Sequence, residues 1–435
     1  MDTKHTRISP SKTLNAHLIV IGDELMTGKI NDINTSQVAK WLEKEGIELT
    51  FSTLCPDKKD HLIQTLTLAW EQSDLVITTG GLGPTQDDIT KATLGEFFKG
   101  KLKENLKAKE LAKLQYGRIQ KEWNPNTNAY HLIPEGMEPV ANPKGLAPGL
   151  CYKLKNKKDS KLFLAAPGVP RELRGMIETE FPSFLDETFP ARKRSSNVLT
   201  IRTIGVPEEK IFFHMMPELW EELSTWGKVS SLPQVLGVDI HLTIEGDRQK
   251  LEEAKVFWKK KLENGPLAEN IWSWESKKIE ELVIEEAIEK KLTLSLAESC
   301  TGGLVAHRLT NIPGSSQVLL SSVVAYANQA KETLLGVKSE TLKSKGAVSE
   351  ETALEMAMGV REKIKSDISV SLTGIAGPGG GSLEKPVGLV CIGLDSDNES
   401  FAKTFSFKGD REHLKKRFSE MALYQVLKRI RGFKK

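Results

Sequence analysis

Apolar residues along this chain gather into short runs closed by glycine, and between the runs they recur at helical spacing. Leu14–Ile21 is apolar and ends at Gly22, Asp23 and Glu24, which predicts a strand followed by a turn. Val38, Ala39, Trp41 and Leu42 fit one face of a helix that Asn34 or Thr35 could cap. Ile47–Leu54 is the next predicted strand, His61–Trp70 a helix with Leu62, Leu66 and Ala69 on one side, and Leu75–Thr79 a buried strand. That strand closes on a glycine-rich loop, and a helix is expected after Asp87. Lys101 to Gln120 reads as an exposed charged helix, Asn142 to Gly149 as a Pro/Gly loop, Leu162–Ala166 as a strand and Arg171 as the start of a helix. Strands alternating with helices predict a parallel sheet covered on both faces, with ligands beyond the carboxyl ends of the strands.

From about residue 191 to 273 the pattern changes. Asn197–Ile204 and Val238–Ile244 read as strands, and Glu208–Leu219 and Arg248–Leu262 as helices. Trp220, Trp226, Trp258, Trp272 and Trp274 lie here and read as packing residues. From residue 275 a second α/β alternation begins. It runs through helix Ile279–Lys290, strand Leu292–Leu296, a helix ending at Leu309, strand Val323–Tyr326 and helix Gln329–Leu335. Helix Glu350–Ile364, strands Ile368–Thr373, Val387–Leu394 and Ser400–Phe407, and helix Arg411–Ile430 complete it. The expected organisation is a leader over 1–13, an α/β domain over 14–190, a small α+β domain over 191–273 and a C-terminal α/β domain over 275–435.

Composition narrows the class. The chain has 435 residues, too many for one ordinary core, and its 39% hydrophobic and 27% charged content fits a globular protein. No run of eighteen apolar residues exists, and the polar N-terminus lacks the apolar stretch of a signal peptide, so no membrane partner is expected. Cys55, Cys151, Cys300 and Cys391 lie far apart without a CxxC or Cys/His cluster, which points away from zinc and toward a reducing, cytoplasmic setting. Net charge is only +3, with small lysine runs at Lys259–Lys261 and the C-terminus, so nucleic acid is not the expected ligand.

Candidate chemistry sits in the loops. Glu298–Gly303 passes from strand to helix, so its amides could receive an anion, or Ser299 or Thr301 could simply cap the helix. Gly374–Gly381 is glycine-rich and either admits a ligand to its backbone or is a flexible turn; no Walker lysine–serine pair follows. Ser315, Ser316, Tyr326 and Lys331 could supply a base-activated nucleophile, provided burial lowers the lysine's pKa; otherwise Lys331 is a solvated charge. In the first domain Asp23, Glu24, Asp87 and Asp88 flank Gly80, Gly81, Gly83 and Thr85. Carboxylates beside such a loop suit a divalent cation bridging phosphates, or serve as helix caps.

Six motifs occur in one order: Ala297–Gly303 (AESCTGG), Pro313–Ser316 (PGSS), Gly346–Glu350 (GAVSE), Thr373–Gly379 (TGIAGPG), Lys385–Gly388 (KPVG) and Gly409–Arg411 (GDR). Together they resemble the CinA C-terminal domain, the nicotinamide-nucleotide amidase family. The resemblance implies hydrolysis of nicotinamide mononucleotide to nicotinate mononucleotide and ammonia, without a cofactor. By motif, Ser316 would be the nucleophile, Lys331 with Tyr326 its activator, Ser299 and Thr373 contacts to substrate or oxyanion, and Arg411 the phosphate ligand. Cys300, Thr301, Gly302, Gly374 and Gly377 would line the substrate, with Cys300 a rival nucleophile.

Gly22–Glu24, Gly28, Asn34 and Thr79–Asp88 (TGGLGPTQDD) resemble the molybdopterin-binding fold of MoaB and MogA, a three-layer α/β domain. Asn142–Gly149 (NPKGLAPG) and Pro167–Glu172 (PGVPRE) resemble its CinA version. This resemblance implies an ADP-ribose pyrophosphatase using a divalent metal (Mg, Mn or Co) and potassium, with Asp88 the leading functional acid. It also implies a homodimer. One departure is that Thr127, Asn128 and Ala129 stand where a lysine–glutamine pair is expected, removing a cation from the phosphate site. The alternative reading is a molybdopterin-binding or competence-related accessory protein without N-terminal hydrolysis.

Overall fold

The computed structural model describes residues 14–85, 87–155, 160–192, 197–244 and 248–433; the expected leader over 1–13 lies outside them. The chain divides into two compact units, Met1–Ser196 and Asn197–Lys435.

In the first unit β1 (Leu14–Ile21), β2 (Ile47–Cys55), β3 (Leu75–Thr79), β6 (Glu138–Val140), β7 (Gly149–Lys155) and β8 (Ser160–Ala166) form one sheet, with β4 (Leu102–Glu104) and β5 (Leu132–Pro134) paired apart from it. The sheet order is β2-β1-β3-β8-β7-β6. Successive residues of a strand point to opposite faces. On one face Leu18, Val20 and Ile77 meet Val38, Leu42, Leu173 and Met176; on the other Ile19, Ile21 and Val76 meet Leu62, Leu66 and Leu94. Both faces are thus covered and the unit has three layers. The expected all-parallel sheet is corrected: β2, β1, β3 and β8 are parallel, but β7 and β6 are antiparallel. Lys155 and Ser160 are too close in sequence for the crossover a parallel pair requires.

Local corrections have local causes. The cap of helix Asn34–Lys44 is Asp32, whose carboxylate accepts from the N–H groups of Asn34 (2.9 Å) and Thr35 (3.1 Å). The expected helix over 101–120 begins late, after β4, because Asn105 accepts from Ala108 N at 3.0 Å and starts helix Leu106–Arg118.

The second unit holds two sheets. The first comprises β9 (Asn197–Thr203), β10 (Lys228–Pro233), β11 (Val238–Ile244) and β12 (Ile271–Ser273), all antiparallel in order β10-β11-β9-β12. Trp258 is fully buried against it. The expected helix Glu208–Leu219 is broken into a short helix, a π-turn over Ile211–Met215 and helix Leu219–Ser224. Pro217 lies at the break, and the preceding Met216 takes φ −146° and ψ 73°, outside the helical region.

The second sheet comprises β13 (Leu294–Glu298), β14 (Leu319–Val324), β15 (Ile368–Gly374), β16 (Leu389–Ser396) and β17 (Glu399–Ser406) in order β14-β13-β15-β16-β17. β14, β13 and β15 are parallel, so their carboxyl ends share one edge of the domain. Helices Ile279–Lys290, Leu304–Thr310 and Arg411–Gly432 pack on one face through Val283, Val305 and Phe418. Helix Glu350–Ile364 covers the other. It lies close because small residues face it: Ser369 Oγ donates to Ala357 O at 2.7 Å, and a Cβ on Gly393 would meet Ala353 O at 2.4 Å.

Candidate active site

Three loops leave the carboxyl ends of β13, β14 and β15. Ser299 follows β13, and its N–H donates to Leu372 O at 3.0 Å, tying the loop to β15. Ala325 and Tyr326 follow β14, and Ala325 N donates to Glu298 O at 2.8 Å. Helix Asn328–Leu335 then turns Lys331 back under these loops.

Lys331 is 1% exposed and Ser299 8%. The Lys331 Nζ lies 3.0 Å from Ser299 Oγ, 2.9 Å from Ala325 O and 3.3 Å from Tyr326 O. Burial holds the amine's pKa below the ordinary lysine value. A neutral amine has two N–H groups and one lone pair. The two carbonyls can take both N–H groups, which turns the lone pair to Ser299 Oγ. In that protonation state the Ser299 hydroxyl can pass its proton to the amine.

The structure does not place the expected nucleophile, Ser316, beside Lys331. Ser316 lies in the turn Ser315–Gln317 and is exposed. It precedes β14, whose first residue Leu319 pairs with Leu294 at the start of β13, whereas Ser299 follows the last. At about 3.3 Å per residue, Ser316 is separated from the Lys331 end of the sheet by roughly the length of a strand. Ser299 takes the place beside Lys331.

The rival thiol is also set aside. Cys300 is 6% exposed, and burial, with the Glu298 carboxylate beside it, pushes its pKa up to about 12. A thiol at that value is not a thiolate at neutral pH.

Of the Glu298–Gly303 amides expected to meet an anion, that of Gly303 is taken by a carboxylate of the chain itself, together with two amides of the helix that follows. Glu298 is fully buried; its Oε2 accepts from Thr301 Oγ (2.7 Å), Gly303 N (2.9 Å) and Val305 N (3.2 Å), and its Oε1 from Ala306 N (2.9 Å). Thr301 therefore serves the loop, and Gly302 (φ 63°) makes its turn. No sequence pattern for capping covers a glutamate so far ahead of the helix Leu304–Thr310 that it caps.

The Thr373 hydroxyl donates to Ala347 O at 2.6 Å, spending on the Gly346–Glu350 loop the proton that an oxyanion would need. Lys385 Nζ binds the same region through Lys345 O (2.6 Å) and Val348 O (2.7 Å). A Cβ on Gly374 would meet Leu389 O at 2.7 Å, so that glycine permits close packing. Arg411 spans two of the loops: Nη1 donates to Gly377 O at 2.5 Å and Nη2 to the Tyr326 hydroxyl at 3.0 Å. Tyr326 thus supports Lys331 through its carbonyl and Arg411 through its hydroxyl.

In the first unit the glycine loop is shaped by packing. A Cβ on Gly80 would meet Ile21 O at 2.2 Å, and one on Gly81 would meet Thr90 Oγ at 2.2 Å. Asp88 turns into the loop, accepting from Gly83 N and Thr85 N at 2.8 Å each and from Thr85 Oγ. Asp23 and Asp57 exchange backbone-to-carboxylate bonds, at 3.0 and 3.2 Å. Burial raises the Asp57 pKa, and the carboxylates of Asp23, Glu24 and Asp87 add to the rise. Asp57 was not singled out from sequence, where no glycine loop marks it. Of the expected metal set, Asp23, Glu24 and Asp87 lie near Asp57 while Asp88 is turned into its own loop, and among the described residues no three His, Cys, Asp or Glu side chains are grouped to hold an ion. Lys91, also overlooked, donates to Ala129 O at 2.6 Å and is pushed down to about 8 by burial, bringing an amine to the segment where a lysine was missed. Among the described residues, no helix is long and apolar enough to cross a membrane.

Residues 276–430 match the family described as "CinA C-terminal domain", and residues 17–186 the family described as "Probable molybdopterin binding domain". A competence-damage inducible protein of Caldanaerobacter subterraneus is 37% identical over 96% of this chain and 99% of its own length. A CinA-like protein of Chloroherpeton thalassium is 38% identical over 94% of this chain and 98% of its own. Among solved structures, competence/damage inducible protein CihA from Agrobacterium tumefaciens is 41% identical over 36% of this chain and 98% of its own, with a TM-score of 0.34.

Proposed function

The chain belongs to the CinA family, and we propose that its C-terminal site hydrolyses the carboxamide of nicotinamide mononucleotide, giving nicotinate mononucleotide and ammonia. The observation that carries this reading is the buried Lys331 amine, 3.0 Å from Ser299 Oγ and oriented by two carbonyls.

In the proposed reaction Ser299 Oγ attacks the carboxamide carbon while Lys331 takes its proton. The resulting oxyanion is met by backbone N–H groups of the loop, for which those of Cys300 and Thr301, next in sequence to Ser299, are the candidates. Lys331 returns the proton to the departing nitrogen, which leaves as ammonia, and an ester on Ser299 remains. Water, deprotonated by Lys331, attacks that ester. The acid is released and Ser299 recovers its proton. The chain's own groups supply nucleophile, base and oxyanion donors, so the reaction is expected to proceed in EDTA.

The test is ammonia release from nicotinamide mononucleotide by the full chain in EDTA, with the product identified by chromatography. Stoichiometric ammonia and nicotinate mononucleotide support the reading. Cleavage to free nicotinamide, or no turnover, contradicts it.

A further inference from the structure

The loops at the carboxyl ends of β13, β14 and β15 are overlain by the first turns of the closing helix Arg411–Gly432. Arg411 reaches Gly377 and Tyr326, after β15 and β14. Lys415, one turn later on the same face, reaches the third loop: a Cβ placed on Gly302 would lie 3.9 Å from its Nζ. Gly302 is three residues past Ser299.

Lys415 is half-buried, and among the described residues neither it nor Arg411 has a carboxylate partner. Several other charges on the helix are matched: Lys416 pairs with Glu412, His413 with Asp410, Arg429 with Glu399 and Arg431 with Glu286. Glu298, the acid nearest in sequence to this loop, is committed to the amides of its own helix. Two cations a turn apart, Lys415 beside the nucleophile's loop and Arg411 on the other two, form a positive corner that a dianion would neutralise.

We propose that Lys415 is a substrate-binding residue that, with Arg411, receives the phosphomonoester of the substrate and so selects a mononucleotide over the corresponding riboside. The proposal rests on the reading of Ser299 and Lys331 as the amidase site. Arg411, fixed by a carbonyl and a phenol, supplies a planar fork, and Lys415 supplies a point charge.

The test is Lys415→Gln in the full chain, with Lys415→Arg as the conservative control. For wild type, the ratio of kcat/KM on nicotinamide mononucleotide to that on nicotinamide riboside is expected to fall about tenfold or more in Lys415→Gln, mainly through KM on the mononucleotide, and to be largely restored in Lys415→Arg. A role in folding alone would lower both substrates equally, and an unchanged ratio overturns the proposal. Calorimetric titration with inorganic phosphate reads the site without turnover. Binding weakened about tenfold in Lys415→Gln supports it, and equal binding overturns it. Phosphate binding that depends on Lys415 in a chain that releases no ammonia would sink the amidase reading while leaving the phosphate site standing.

Discussion

Ser299 and Lys331 are brought within 3.0 Å of one another by parallel strands: Glu298 pairs with Val324, so the loop after β13 and the loop after β14 emerge side by side. The pairing also fixes which end of the sheet carries both residues. Residues before β14 fall at the other end, whatever their resemblance to a nucleophile motif.

The lysine's environment sets a pH dependence. A base must be neutral, so kcat/KM is expected to rise with pH through the Lys331 pKa and to level off below the ordinary lysine value of about 10.5. Stability follows the same group. Its folded pKa is lowered by burial, so the unfolded chain binds more protons between the folded and unfolded values, and stability rises with pH across that window. Thermal unfolding of wild type and Lys331→Met checks this: wild type should gain on the variant as pH rises toward 10.5. A gap that stays constant contradicts the assignment.

Cys300 is expected to be dispensable for catalysis. Its thiol, pushed up to about 12, should react slowly with iodoacetamide near neutral pH, and Cys300→Ala should keep ammonia release within a few-fold of wild type. A loss of a hundredfold or more with the fold intact would return the nucleophile's role to the thiol.

Glu298 is expected to be a stability residue. Its carboxylate accepts from three backbone N–H groups and Thr301 Oγ inside the core. Glu298→Gln replaces one acceptor oxygen with a donor and should cost about 2–4 kcal/mol in urea unfolding, as hydrogen bonds to a buried charge are broken. A change below about 0.5 kcal/mol would mean that the cap contributes little.

How much of this was legible beforehand depended on the range of the interaction. Periodicity located β1, β3 and helix Ile279–Lys290 because their apolar residues report burial directly. It did not locate β7, whose Tyr152, Lys153 and Leu154 are only half-buried and carry no clear alternation. Motifs marked loops that come together, since Ser299, Tyr326, Lys331, Gly377 and Arg411 are linked by hydrogen bonds. They did not say that Ser316 sits at the far end, because strand direction and register are tertiary facts. Nor did they expose Glu298 as a cap, Asp57 beside Asp23 or Lys415 over Gly302; each pairing joins residues whose neighbourhood exists only after folding.

The most direct test of the account is ammonia release from nicotinamide mononucleotide by Ser299→Ala and Ser316→Ala, each against wild type and each checked for native circular dichroism. The account predicts that Ser299→Ala loses activity by about a thousandfold or more while Ser316→Ala stays within about tenfold of wild type. An inactive Ser316→Ala beside an active Ser299→Ala would contradict it.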